Sequence, residues 1–281
     1  MRIITDSASD ITKEEADKFN IDVIPLLVEF NGKSYMDGID ITKEEFYNKL
    51  IDYDDIPKTS MVTAYRFSEY FDKYKDEDII YIGLSSKLSN SFNQAMLAKE
   101  DRTNIHLIDS LNVAMGERIL VEYAIKLRDS NKDIEYIIRE LEEKRKNIKV
   151  IALLDTLEYL QKGGRISKTV AIAGKLLTIK PVIAVIDGKI DLIGKARGSK
   201  NGNNKLREVI EKYHGIDYKK PYAVAYSGLD DSLLQKYIAD SKDLCDKDIP
   251  KVLIGSVIGT HIGPGAIAMA FFSHGDDLNA K

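Results

Sequence analysis

The sequence predicts an α/β protein in two parts: an N-terminal parallel-sheet (Rossmann-like) domain, then a C-terminal α/β domain with a mixed sheet. Short β-branched runs such as RIIT, DIIYIGL and IHLID alternate with longer amphipathic stretches through the first half. That alternation is the pattern of a parallel sheet covered by helices on both faces. The second half carries a long hairpin pattern, IKPVIAVIDGKIDLIGKA, and a hairpin needs antiparallel strands. A charged helix, DIEYIIRELEEKRKN, separates the two patterns. The boundary is placed there, giving domains 1–147 and 148–281.

Taken in order, RIIT is a short strand ending in the polar loop DSASD. The stretch DITKEEADKF carries a capping box, Thr12 with Glu15. IDVIPLLVEF is expected as one strand, turned back at Asn31-Gly32 as a hairpin. DITKEEFYNKL repeats the capping signal at 40–50. A helix from about Ala64, the strand DIIYIGL, a helix from about Asn90 and the strand IHLID follow. LNVAMGERILVEYAIKL and the charged helix close the first half. In the second half VIALLD is a strand, and TLEYLQKGGRISKTVAIAGKLL is two helices broken at Gly163-Gly164. The hairpin turns at Asp187-Gly188. A helix, YAVAYSG, a further helix, KVLIGSV and AIAMAFF complete the chain.

Composition excludes several functions. Apolar residues make up 44% and charged residues 31% of 281 positions, ordinary for a globular chain and unlike a disordered one. A net charge of −4 gives no nucleic-acid footprint. The single cysteine, Cys245, excludes an internal disulfide and fits a reducing compartment. MRIITDSASD lacks the apolar run of a signal peptide, so a cytoplasmic location is expected. The four histidines are far apart and show no metal-ligand spacing; no metal and no cofactor are expected.

Hydroxyls are concentrated in two places. Thr59 and Ser60, with Thr63 as helix cap, form one cluster. Ser85, Ser86, Ser89 and Ser91 form the other, at a strand end and helix start. In parallel sheets ligands bind beyond the carboxyl ends of the strands, where DSASD, SSKLSNS and DSLN are expected to lie. Helix-entrance hydroxyls mostly cap backbone, yet such corners also hold anions. Two of them could grip the oxygens of one carboxylate. His261, in the glycine-rich GTHIGPGAIA, is expected in a tight loop, where it can donate a hydrogen bond to a carboxylate. Gly263, Gly265 and Ala268 formally satisfy G-x-G-x-x-A, but no helix, second strand and acidic residue follow. Arg165 follows a glycine pair beside Lys168, and Arg197 lies near Lys195 and Lys200; both arginines are phosphate or partner contacts in this reading.

Together these stretches resemble the DegV family. The resemblance rests on IITDSASDIT, VIPLLVEFNGKSYMDGIDIT, KTS at 58–60, LSSKLSNSFNQA, LEYLQKGGRISKT with LLTIKPVIAVIDGKI, and HIGPGAIA, in order along nearly the whole chain. It implies a DegV-like two-domain α/β fold that holds one long-chain fatty acid in an apolar tunnel between the domains. Residues 1–147 would carry the carboxylate grip, and 148–281 would complete the tunnel. By resemblance Thr59 and Ser89 bind the carboxylate, with Ser60, Ser91 and His261 as neighbours. Arg165 and Arg197 are then set outside the tunnel, toward a separate ATP-dependent fatty acid kinase. The protein itself would perform no chemistry. Peripheral contact with a membrane would serve lipid exchange. The family commonly reads S-G-T-Y-Q where this chain has Ser89-Asn90-Ser91-Phe92-Asn93, and T-S-Q-P-S where it has Thr59-Ser60-Met61-Val62-Thr63. Both gripping hydroxyls are kept.

Two other readings compete. A hydrolase or acyltransferase would use Ser89 or Ser86 as nucleophile and needs a base, for which His261 is the candidate. A small-anion or sugar-phosphate binder would use Arg165 and Arg197.

Overall fold

The computed structural model describes residues 1–52, 56–167, 179–244 and 249–274. Lys168, Cys245 and the helix expected after Gly164 lie outside the described residues.

β1 (Arg2–Asp6) leads through α1 (Lys13–Phe19) to β2 (Asp22–Ile24). α1 begins on the expected capping box: Glu15 N–H donates to Thr12 Oγ1 at 3.3 Å, and Thr12 N–H to the Glu15 carboxylate at 2.9 Å. IDVIPLLVEF is two strands rather than one. Pro25 has no N–H to give a ladder, β2 stops before it, and β3 (Leu27–Phe30) belongs to a different sheet. Asn31 and Gly32 take φ of 48° and 77° and turn β3 into β4 (Lys33–Met36), as a tight hairpin requires. α2 (Lys43–Asp52) repeats the capping box through Thr42 and Glu45. β5 (Lys58–Ser60) was not expected as a strand. It pairs antiparallel with β3, which sets Thr59 opposite Val28.

α3 (Ala64–Asp72) starts on its Thr63 cap, followed by β6 (Ile79–Gly83), α4 (Ser91–Lys99), β7 (Ile105–Asp109), α5 (Met115–Asp129) and α6 (Ile134–Lys144). β2-β1-β6-β7 form the expected parallel sheet, and β4-β3-β5 a small antiparallel one. α5 starts later than its apolar pattern does. The Ser110 hydroxyl accepts from Asn112 N–H at 3.1 Å, a side-chain turn that competes with the helix, and Leu111 and Ala114 both take positive φ.

β8 (Ile148–Leu153), α7 (Glu158–Lys162), β9 (Ile179–Ile186), β10 (Lys189–Arg197), α8 (Gly198–Lys212), β11 (Ala223–Tyr226), α9 (Ser232–Asp240), β12 (Lys251–Leu253), α10 (Ser256–Ile262) and β13 (Ile267–Phe272) follow. Six strands in the order β10-β9-β8-β13-β11-β12 make a mixed sheet, antiparallel except for β11 with β12. Side chains alternate across it. Val150, Ala152 and Ala268 join the apolar cluster that also holds Ile3, Tyr81 and Leu120 of the first half. Ile151, Leu153 and Met269 face a second cluster with Leu206 of α8.

KVLIGSV departs from expectation. Its strand ends at Leu253, and α10 opens at Ser256. The first-turn N–H groups of a helix need acceptors, and these arrive from far off in sequence. Asp10 Oδ1 accepts from Gly255 N–H at 2.7 Å, and Asp37 Oδ1 from Ser256 N–H at 3.3 Å. His261 therefore sits in the last turn of a helix, not in a glycine loop. Ala268 lies in β13, so a strand stands where a dinucleotide fingerprint needs a helix.

Candidate ligand-binding site

A cavity of about 260 Å³ lies against the inner face of the six-stranded sheet. Its walls are mostly apolar. Ala152, Ile183 and Val185 come from the sheet, and Val257, Ile258 and Ile262 from α10. This is far more room than the ~10–15 Å³ that one water needs.

Six polar side chains reach the wall: Thr59, Ser60, Ser89, Asn90, Arg165 and His261. Bonds between their segments gather them at one end. Thr59 Oγ1 lies 2.9 Å from His261 Nε2. Ser89 Oγ accepts from Ser91 N–H at 3.2 Å and lies 3.0 Å from Ser91 Oγ, which accepts from Val62 N–H at 3.2 Å. Ser91 is fully buried and off the wall; it ties the Thr59 segment to the mouth of α4. Ser86 is off the cavity wall, and Ser7, Ser9, Ser85 and Ser110 serve the backbone. Ser7 Oγ accepts from Leu26 N–H, and Ser85 Oγ donates to Gly188 O.

Burial, and secondarily the Arg165 charge, pushes His261 down to about 4. The imidazole is therefore neutral near pH 7. Its Nδ1 is buried with no hydrogen-bond partner. A nucleophile's base needs a third group to orient it, and among the described residues none stands at Nδ1. The ring fits because position 163 is glycine. A Cβ there would stand 2.3 Å from His261 Nδ1. One residue on, Gly164 takes φ +70° to turn the chain.

The two arginines part company. Arg165, expected outside the tunnel, lies on the cavity wall. Its Nε donates to Leu88 O at 3.2 Å and its Nη1 to Gly163 O at 2.6 Å. Burial lowers its pKa. Arg197 is exposed at the far end of β10. Its cross-strand partner is Ile179, and the cavity residue Ile183 lies four positions further along β9, about 13 Å at about 3.3 Å per residue.

The α10 wall was missed from sequence. Val257, Ile258, His261 and Ile262 follow the i, i+1, i+4, i+5 spacing of one helical face, a signal hidden by reading KVLIGSV as a strand. Among the described residues no group of His, Cys, Asp and Glu could hold a metal ion, and no helix is long and apolar enough to cross a membrane.

The family model described as an uncharacterised protein of the DegV family matches residues 1–274. A DegV domain-containing protein of Clostridium acetobutylicum is 35% identical over 279 residues, covering 96% of this chain and 98% of that one. One of Caldanaerobacter subterraneus subsp. tengcongensis is 34% identical over 276 residues, covering 96% and 97%. Solved structures agree with the fold. A Thermus thermophilus DegV-family protein described by its fatty acid binding superposes with a TM-score of 0.86 at 26% identity, covering 97% of this chain and 100% of that one. DegV from Bacillus subtilis, described as a fatty acid binding protein, gives 0.83 at 27%, covering 97% and 98%. A stearic acid-binding protein from Eubacterium ventriosum gives 0.85 at 26%, covering 97% and 98%. On the match along its length and the fold they share, this chain belongs to the DegV family.

Proposed function

We propose that this protein binds one long-chain fatty acid and presents its carboxylate to a separate ATP-dependent fatty acid kinase. The observation that carries the reading is an apolar cavity whose polar groups gather at one end, around the Thr59–His261 pair. Burial of the tail supplies affinity, at about 0.8 kcal/mol per CH₂. The hydroxyls of Thr59 and Ser89 donate to the carboxylate, with Ser60 beside them. With His261 as the Nε2–H tautomer, the ring donates to Thr59 Oγ1 and leaves the threonine proton for the ligand. Arg165 adds positive charge at the same end. Ser91 holds Ser89 in place. Fatty acid binding by DegV proteins of solved structure supports this reading.

In this proposal residues 1–147 form the domain that carries the hydroxyl grip, and 148–281 the domain that completes the tunnel and contributes His261 and Arg165. Arg197, exposed and distant, faces the kinase. The protein is a carrier without chemistry of its own, acting in the cytoplasm with peripheral membrane contact for lipid exchange. Low basicity, and the lack of an orienting partner among the described residues, make His261 a poor base, which favours a grip over a nucleophile. Mass spectrometry of the purified protein tests the reading. Denaturation should release close to one equivalent of a long-chain fatty acid, or the emptied protein should take one up. A protein that neither releases nor takes up any such acid defeats it.

A further inference from the structure

The apolar cavity has a neighbour. A second cleft, of about 310 Å³, opens beside it, and the two spaces share one side chain, Val185. The sheet explains why. β8 and β9 pair only from Leu153–Val182 to Ile151–Ala184, although β8 extends back to Ile148 and β9 on to Ile186. Beyond the last pair these two strands part, each still paired on its other side, and the second cleft takes in Ile148 and Lys149 of β8, Ile186 of β9 and Asp187 of the turn after it.

The facing wall progresses the same way. Val113 and Ala114 line the first cavity, whereas Leu111 and Asn112, just before them in sequence, line the second. The two spaces therefore abut end to end, with Val113 and Val150 on the apolar side and Val185 common to both. All three valines are nearly buried, at 7–8% exposure. Their environments differ sharply across that line. The first cavity is apolar here, while Arg145, Lys146, Lys149 and Asp187 line the second. An alkyl terminus gains from the first and is ill-matched to the second.

We infer that Val185 determines acyl-chain length: it is the partition at which the tail must end, because the space behind it is lined by charged groups. The inference rests on the fatty-acid reading and adds to it the residue that sets the ligand's reach. A tail that stops short of Val185 leaves apolar wall uncovered. A longer one must displace the valine or enter the charged cleft.

The test is a displacement series with straight-chain saturated acids from decanoic to docosanoic, competing with a fluorescent fatty acid on wild type, Val185→Ala and Val185→Phe. Wild-type affinity should rise about fourfold per added CH₂ up to a break and then level or fall. Val185→Ala should move the break to longer acids by about one or two carbons, and Val185→Phe should move it to shorter ones. Circular dichroism checks folding; if the phenylalanine variant does not fold, Val150→Ala takes its place, with a shift to longer acids expected. The same break in wild type and in every folded variant overturns the partition while leaving the fatty-acid reading intact. A wild type that binds no acid of the series overturns both.

Discussion

His261 Nε2 lies 2.9 Å from Thr59 Oγ1 although 202 positions separate the two residues. The contact joins the last turn of α10 to edge strand β5. Among the described residues neither side chain makes another side-chain hydrogen bond, so each sets the orientation of the other. A hydroxyl whose oxygen accepts from a neutral imidazole has its proton left to donate, and a carboxylate is the acceptor that suits it.

Thr59→Val keeps the shape and β-branching of the strand residue and removes the hydroxyl. A hydrogen bond to a charged group contributes about 1.5–3 kcal/mol, so fatty-acid affinity should fall at least tenfold. Titration with a fluorescent fatty acid checks this, with the melting temperature as control. Unchanged affinity would remove Thr59 from the grip.

How much of this was legible follows from where each signal sits in the chain. The hydroxyl clusters around Thr59 and Ser89, which reach the cavity wall, were legible because a run of Ser and Thr is a local pattern. The hairpins at Asn31-Gly32 and Asp187-Gly188 and both capping boxes were equally local. α10 was not legible. The acceptors for its first N–H groups are Asp10 and Asp37, more than two hundred residues upstream, so its β-branched start reads as a strand. β5 exists because β3 offers it a ladder. Arg165 was misplaced for a similar reason: only the fold brings the segment after Gly164 alongside Leu88 and His261.

Titration of His261 should report the ligand. In the free protein burial and the Arg165 charge hold it at about 4, below the ordinary value near 6.5. The folded state thus disfavours the imidazolium, and this residue's contribution to stability is lost as pH falls from about 6.5 toward 4. A bound carboxylate favours the cation and raises the pKa. NMR of the imidazole should show a higher titration midpoint with fatty acid than without. An identical midpoint in both forms would place the carboxylate elsewhere.

Gly163→Ala probes the same ring from behind. Glycine at 163 has ordinary helical φ, −73°, so alanine costs nothing in backbone strain. Its Cβ would nonetheless stand 2.3 Å from His261 Nδ1 and must push the imidazole off Thr59. Fatty-acid affinity should drop about as far as in Thr59→Val, and combining the two changes should add little. Full additivity in that cycle would mean that Gly163 acts on something other than the pair.

Asp10 is 3% exposed, and burial raises its pKa to about 6 despite Lys43 and the Gly255 N–H. Since the native state binds the proton more tightly than the unfolded chain, ionisation costs stability as pH rises from about 3.8 through 6. Asp10→Asn should therefore stabilise the protein at pH 7, by about 1–3 kcal/mol, and the gain should vanish near pH 4. Urea unfolding at both pH values measures it. A variant less stable at pH 7 would show that the charged bond to α10 outweighs the desolvation of the carboxylate.

The two arginines give the sharpest separation of binding from presentation. Arg165 lies on the wall, half-buried, with its guanidinium steadied by Leu88 O and Gly163 O. Removing it takes away both a positive charge beside the proposed carboxylate position and the packing of its stem. Arg165→Ala should weaken fatty-acid binding about tenfold or more. Arg197 is exposed and about 13 Å along the sheet from the cavity residue Ile183, and a screened charge beyond about 10 Å does little for the ligand. Arg197→Ala should leave affinity within about threefold while kinase-dependent acyl phosphate formation, followed with labelled ATP, falls sharply. Loss of binding in Arg197→Ala would mean that its side chain reaches the ligand, and normal turnover would mean that the kinase docks elsewhere.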